Sequence, residues 1–170
     1  MKKSLLLSLA SLAAWHSSQA QNTCATAVPV ILANYYVSAV DGSDVPSPIC
    51  ASGGTGATAG EWYTYTATLD TFITVTTDLP QNAGVDTRVQ VYTGTCGNLA
   101  CYGGNDDVSP GDYLSTAVFH VSAGTNYTFA FDNKWSSSGF TFSVGMTHPA
   151  APVGGFTAQY VNTVGSSDCV

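Results

Sequence analysis

Alternating apolar and polar residues predict a series of short strands along the chain. Consecutive residues of a strand point to opposite faces of a sheet, so an apolar residue at every second position indicates one buried face. The pattern is clearest where aromatic or β-branched residues alternate with threonine or serine. A short edge strand is expected within residues 22–34, and further strands at residues 61–68, 72–77, 87–93, 115–121, 127–131 and 140–144.

The connections between these strands contain residues that favour turns and loops. Residues 41–60 hold two prolines and five glycines without any periodicity, which indicates a long surface loop. A tight connection at residues 69–71 predicts that the two strands beside it form an antiparallel hairpin. Several short strands without intervening helices predict a single all-β sandwich over residues 21–147.

Residues 1–20 have the features of a secretory signal peptide. Lys2 and Lys3 precede a short apolar run, and Ser18 and Ala20 supply the small residues of a cleavage site, so the mature chain is expected to start at Gln21. The apolar run is shorter than a membrane span requires. We therefore expect a secreted, extracellular or cell-surface protein without a membrane span; a retained N-terminal anchor is the alternative.

The composition changes after Met146. Residues 148–155 are rich in proline and glycine and predict a linker. Residues 156–170 resume a strand-like alternation that stops at the last residue. We interpret this segment as the start of a further part of a longer protein.

The charge balance is strongly acidic once the signal peptide is removed. Arg88 and Lys134 are then the two basic residues against 11 acidic ones, which gives a net charge of −9. Such a chain repels the phosphate backbone, so nucleic acid is excluded as a favoured partner. Divalent cations are compatible with this charge.

Five cysteines in an exported chain predict disulfide bonds. Cys96 and Cys101 enclose four residues and are expected to pair across a turn. Cys24 and Cys50 would then join the mature N-terminus to the long loop. Cys169 is left over, which suggests a bond to a partner chain or a chain that has been shortened.

Five motifs occur in an order that resembles a bacterial family, at residues 62–67, 85–96, 101–107, 122–127 and 139–144. The order resembles that of pre-peptidase C-terminal (PPC) domains and their cysteine-bearing relatives, over roughly residues 24–147. The resemblance implies a jelly-roll-like antiparallel β-sandwich that serves larger secreted proteins as a non-catalytic accessory domain. Residues 155–169 resemble the lead-in to FG-GAP or VCBS repeats, which implies downstream domains of the same protein as partners.

Acidic and amide side chains are concentrated around the cysteine pair and supply candidate ligands for Ca²⁺, the one cofactor that the sequence suggests. Ca²⁺ requires six to eight oxygen ligands, which carboxylates, amides and backbone carbonyls provide. The alternative is structural, because aspartate and asparagine at turns accept hydrogen bonds from nearby backbone N–H groups. The candidate ligands are Asp86, Asn105, Asp106, Asp107 and Asp112.

Exposed aromatic residues are the second kind of candidate site. Trp135, Tyr102 and Tyr113 could bind a polysaccharide or an extracellular protein, although strand aromatics also fill cores. Glu61 is the sole glutamate and the weak candidate for a glycosidase acid, while His120 is expected to be exposed. The sequence thus predicts a non-catalytic accessory module, with a carbohydrate- or protein-binding domain as the alternative and a hydrolase as the third hypothesis.

Overall fold

The structure is a computed structural model that describes residues 21–147. The predicted signal peptide, the linker at residues 148–155, the segment at residues 156–170 and Cys169 lie outside the described residues.

Nine strands in this part of the chain form two sheets that face each other. The strands are β1 (Val28–Val30), β2 (Ala33–Ala39), β3 (Gly60–Thr66), β4 (Thr71–Thr76), β5 (Arg88–Thr95), β6 (Asn98–Asn105), β7 (Thr116–Val121), β8 (Asn126–Asp132) and β9 (Ser138–Thr147). Short 3-10 helices span Cys24–Thr26 and Pro80–Asn82. The five-stranded sheet has the order β1-β3-β8-β5-β6 and the four-stranded sheet the order β2-β9-β4-β7. Neighbouring strands are antiparallel except β1 and β3, and the predicted all-β sandwich is confirmed.

The main core fills the space between the two sheets with aromatic rings. Tyr63 of β3 packs edge-on against Phe142 of β9 with ring centres 4.7 Å apart, and Phe131 meets Phe140 at 4.8 Å. Offset and edge-to-face ring pairs of this kind add to the stabilisation that apolar burial itself provides. The alternation of the sequence therefore identified the inward faces of these strands correctly.

The predicted hairpin between β3 and β4 is wrong. β3 pairs with β1 and β8 in the five-stranded sheet, whereas β4 pairs with β7 and β9 in the four-stranded sheet. Both strands bury one face in the same core, but from opposite sides of it. Alternation shows which face of a strand is buried and does not show which sheet the strand joins.

Two strands, β2 and β6, have few of the β-branched residues that mark the other strands in the sequence. The sequence pattern predicts neither β2 nor β6, and β6 includes Cys101, which was expected to pair with Cys96 across a turn. A Cβ atom at Gly104 in β6 would lie 2.9 Å from the Val89 carbonyl oxygen and 3.0 Å from the Ala51 nitrogen. Glycine is therefore required at this position because a loop crosses directly over the strand.

A third layer covers the outer face of the five-stranded sheet. It consists of residues 21–27 and 40–59. Trp62 donates from its indole nitrogen to the Asp44 carbonyl oxygen at 2.7 Å. The Tyr92 hydroxyl donates to the Pro48 carbonyl oxygen at 2.8 Å. The two rings stack 5.9 Å apart in a small second core. As a result, β5 is buried on both of its faces.

The two disulfide bonds hold this covering layer in place, and their pairing differs from the predicted one. The bonds join Cys24 to Cys96 and Cys50 to Cys101. Cys96 lies in the two-residue turn of the β5–β6 hairpin, while Cys101 lies opposite Tyr92 along the strand. Each strand residue advances the chain by about 3.3 Å, so these two cysteines are separated by more than the ~7 Å between Cα atoms that a disulfide tolerates.

A buried ion pair connects the sheet to the covering layer. Arg88 and Asp132 lie opposite each other on β5 and β8, with their side chains fully buried, and Nη2 of the arginine lies 3.0 Å from Oδ2 of the aspartate. The Asp132 carboxylate also accepts from Gln90 at 2.9 Å. On its other side Arg88 donates through Nη1 to the Ser52 and Gly54 carbonyl oxygens at 3.0 and 2.7 Å. The guanidinium thereby fixes the loop onto the sheet.

We expect Arg88→Met to destabilise the protein by about 3–5 kcal/mol, because it leaves the Asp132 carboxylate buried without its counter-charge. The loss should appear as a lower midpoint in urea unfolding. The double variant Arg88→Met with Asp132→Asn should lose less than Arg88→Met alone, since it removes the unpaired charge. Lys134→Met, which removes the same charge from a partly exposed residue, serves as the matched control and should cost about 1 kcal/mol or less. Equal losses in the Arg88 and Lys134 variants would contradict this account.

Candidate functional site

Strand register brings distant acidic residues together at one end of the five-stranded sheet. Val89 of β5 pairs with Asn105 of β6, and Arg88 pairs with Asp132 of β8. The segment before β5 therefore meets the segments that follow β6 and β8. Asp86 belongs to the first segment, and Asp106 and Asp107 belong to the second.

A cavity of about 260 Å³ opens at this end of the sheet. Both aromatic residues that line it are half-exposed, Tyr113 at 55% and Trp135 at 50%. A neighbouring groove of about 420 Å³ shares Asp86 and Tyr113 with it and runs between residues 83–86 and 111–114. The lining of the cavity is Asp86, Asp106, Asp107, Tyr113 and Trp135.

Asp106 fixes the position of the tryptophan. Its Oδ1 accepts a hydrogen bond from the Trp135 indole nitrogen at 2.8 Å, and its Oδ2 lies 3.5 Å from the Ser52 hydroxyl, which donates weakly to it. A Cβ atom at Gly53, whose φ is +85°, would lie 2.8 Å from Oδ2 of the aspartate. The covering loop thus approaches the cavity wall so closely that only glycine fits at this point.

A network of buried hydroxyl groups holds the opposite wall. The Ser115 hydroxyl donates to the Asp106 carbonyl oxygen at 3.0 Å, and the Ser115 backbone N–H donates to the Thr77 hydroxyl at 2.8 Å. The Thr87 backbone N–H donates to the Tyr113 carbonyl oxygen at 2.9 Å. These bonds tie the loop that carries Tyr113 to strands of both sheets.

Two carboxyl groups of the cavity, those of Asp86 and Asp106, have a raised pKa, and burial is the main cause. The pKa of Asp86 lies above its ordinary value, first because of burial and then because of the negative charges of Asp107 and Asp106. Burial also raises the pKa of Asp106, although the hydrogen bond from Trp135 opposes this shift. Oδ1 of Asp86 is buried and receives no hydrogen bond.

The five predicted calcium ligands do not form one group. The Asn105 amide oxygen accepts from the Thr116 N–H at 2.7 Å, and Asp112 accepts from the Leu114 N–H at 3.3 Å, as the structural alternative predicted for such turns. The structural alternative does not hold for Asp86, because its side chain bonds to no backbone group in the described structure. Within residues 21–147, no three histidine, cysteine, aspartate or glutamate side chains are arranged to hold one metal ion.

The other sequence candidates lie elsewhere. Tyr102 packs against Phe119 and Tyr127 and donates to the His120 carbonyl oxygen at 2.9 Å, so it does not join Trp135 and Tyr113. His120 is exposed, as predicted. Glu61 is buried and accepts hydrogen bonds from the Asp41 and Gly42 N–H groups at 3.1 and 2.8 Å. Its carboxylate therefore stabilises the turn at these two residues.

Sequence reasoning missed the contribution of the long loop to the site. Ser52 and Gly53 lie more than 50 residues before Asp106, and the composition of their loop indicates only exposure. One sequence signal for a loop that covers the sheet was present in the strand that follows Asp86. Arg88, Gln90 and Tyr92 occupy the face that alternation marks as outward, and three hydrogen-bonding side chains in a row at such positions are suited to bind a covering loop.

Comparisons with protein-family models, with curated proteins and with solved structures find no match to this chain. The fold and the site therefore define its class: a disulfide-linked all-β sandwich with an acidic, aromatic-lined cavity between its loops. Among residues 21–147, no helix has the length and apolar character to cross a membrane.

We expect Asp86→Asn to raise the melting temperature at pH 7 by roughly 3 °C, on the scale of single-site effects in domains of this size. The folded pKa exceeds 3.8, so the stability that the protonated acid provides is complete below pH 3.8 and is lost as the pH rises through the folded pKa. The gain should therefore vanish near pH 3 in thermal melts. Asp78→Asn changes an exposed acid and should alter nothing. A lower melting temperature for Asp86→Asn at pH 7 would show that the carboxylate has a stabilising partner.

Proposed function

We propose that this chain is a secreted, non-catalytic accessory module of a larger extracellular or cell-surface protein. The observation that carries the proposal is the pair of disulfides that fasten the covering layer to β6 and its turn. Disulfides form and persist in oxidising compartments, where they stabilise small domains. The signal-like residues 1–20 support the same location.

The use of the buried polar residues supports a structural role. Glu61 braces a turn, Arg88 and Asp132 hold the covering loop, and Gln90 accepts through its amide oxygen from the backbone N–H groups of Cys50 and Ala51. These side chains stabilise loops by satisfying backbone groups that burial would otherwise leave without partners. The PPC-like order of motifs implies the same accessory role.

A binding role is the second candidate, and the cavity at the sheet end favours it. Tyr113 and Trp135 keep about half of their surface exposed beside three carboxylates. A concave site with aromatic walls and a few polar groups is the usual form of a ligand pocket. The candidate ligands are a polysaccharide or an extracellular protein.

The accessory role is tested by expressing the chain with residues 1–20 in a host that exports proteins. We expect export, a mature N-terminus at Gln21, and no turnover of a panel of peptide and glycoside substrates. Turnover that Glu61→Gln abolishes would contradict the proposal. Replacing Cys50 and Cys101 by alanine should cost about 2–5 kcal/mol of stability in urea unfolding, and an unchanged midpoint would remove the observation on which the proposal stands.

The binding role is tested with a glycan array and with pull-downs from extracellular proteins. Trp135→Ala should abolish any signal that depends on the cavity. Tyr36→Ala is the matched control, because Tyr36 is an aromatic residue of β2 with 73% exposure outside the cavity lining. Blank results with the unaltered chain would reject this second candidate.

Calcium remains a separate hypothesis that thermal melts decide. A ligand that binds only the folded state at 100 times its Kd stabilises the protein by about 2.7 kcal/mol. Calcium binding at Asp86, Asp106 and Asp107 would therefore raise the melting temperature in CaCl2, and EDTA would lower it. Identical curves in both solutions, without heat in a calorimetric titration, would refute the hypothesis.

A further inference from the structure

We propose that the cavity at the sheet end binds a cationic side chain, a lysine or an arginine, of a partner protein. The inference rests on the binding role proposed above and names the chemistry of the ligand. The cavity combines the carboxylates of Asp86, Asp106 and Asp107 with the half-exposed rings of Tyr113 and Trp135. Carboxylates and aromatic faces are the two kinds of group that attract an organic cation.

The hydrogen-bonding capacity of the cavity matches a ligand that only donates. The three carboxylates accept hydrogen bonds, and the indole N–H of Trp135 is already donated to Asp106. Ammonium and guanidinium groups carry several donors and no acceptor. A sugar ring presents hydroxyl groups that accept as well as donate, and the Tyr113 hydroxyl is the one lining side-chain donor left for them, so a sugar fits this set of side chains less well.

The aromatic walls also distinguish an organic cation from a metal ion. Ca²⁺ requires six to eight oxygen ligands around one point, whereas two of the five residues that line this cavity are aromatic and both oxygens of Asp106 already face donors. The Trp135 ring already attracts an ammonium group, because Nζ of Lys134 lies 4.8 Å from its centre. Lys134 is held there by the Thr55 carbonyl oxygen and does not line the cavity.

None of the three carboxylates forms a salt bridge within the described part of the chain, and the charge of Arg88 only partly offsets that of Asp106. Arg88 and Lys134 are the two basic residues of this part, and Arg88 is paired with Asp132. Oδ1 of Asp86 is buried without a donor. A cation in the cavity would relieve the repulsion among the three carboxylates, and the net negative charge of the chain would draw it there.

The adjoining groove provides room for the residues on either side of the bound side chain. It shares Asp86 and Tyr113 with the cavity, and its remaining lining is formed by Ala83, Gly84, Val85, Gly111, Asp112 and Leu114. A volume of about 420 Å³ is enough for one or two residues of a peptide beside the cavity. The inferred occupant is therefore a cationic residue within a segment of a partner protein.

The test follows the indole N–H resonance of Trp135 in the full chain by NMR, with Trp135→Phe to assign it. We expect Nα-acetyl-lysine N-methylamide and its arginine counterpart to shift the resonance saturably, with Kd on the order of 1 mM as for a weak single-residue ligand. The Nε-acetylated analogue should produce no shift, because it has lost its charge. Raising NaCl from 0.05 to 1 M should weaken binding by about tenfold through screening.

Two aspartate variants distinguish binding at the cavity from a general attraction of the probe to the negative charge of the chain. Asp107→Asn removes an exposed carboxylate of the cavity, so it should weaken binding by about fivefold without unfolding the protein. Asp78→Asn removes the same charge from a residue outside the cavity and should change Kd by less than about twofold. Equal effects of the two variants on Kd would contradict the assignment of cation binding to this cavity.

Four further outcomes would also overturn the proposal. Two of them concern the charge: equal binding of the Nε-acetylated analogue, and no shift with either cationic probe at 20 mM. The third is tighter binding of glucosamine and N-acetylglucosamine, which would assign the cavity to carbohydrate. The fourth is the same shift with micromolar Ca²⁺, which would assign it to a metal. Each of these leaves the accessory role standing, because export, disulfide stability and substrate turnover test that role independently.

Discussion

The buried pairing of Arg88 with Asp132 is the interaction on which the three-layer arrangement depends. An unpaired charge in this position would be costly, so the two residues fix β5 and β8 in register and leave the remaining guanidinium donors directed at the covering loop. Gln90 and Tyr92 extend the same pattern along β5. The outer face of the sheet is therefore a set of polar anchors for a loop.

The covering layer explains the positions of both disulfides. Each bond joins a segment of the covering layer to β6 or its turn, at sequence separations of 72 and 51 residues. Closing such long loops lowers the conformational entropy of the unfolded chain more than a local staple would. The polar anchors and the covalent bonds thus act on the same segments, and the cavity lies where one of these segments meets the end of the sheet.

The cavity follows from the same construction. The loop that Arg88 fixes carries Ser52 and Gly53 to Asp106, and Asp106 in turn holds the indole ring of Trp135. Asp86 and Asp106 have raised pKa values because burial, and then the negative charge of neighbouring carboxylates, disfavours their ionised form. A cation from outside the chain would stabilise such a group, because it would offset the repulsion among the carboxylates.

The sequence by itself determined the class of fold and most of the core, because alternation and β-branched composition report directly which face of each strand is buried. It also marked the acidic residues around β6, since those side chains are grouped along the chain. The disulfide pairing, the sheet to which β4 belongs and the burial of Arg88 were decided only by the tertiary structure. Each of them depends on contacts between residues distant in sequence, and local patterns carry no information about the partner on the other side of such a contact.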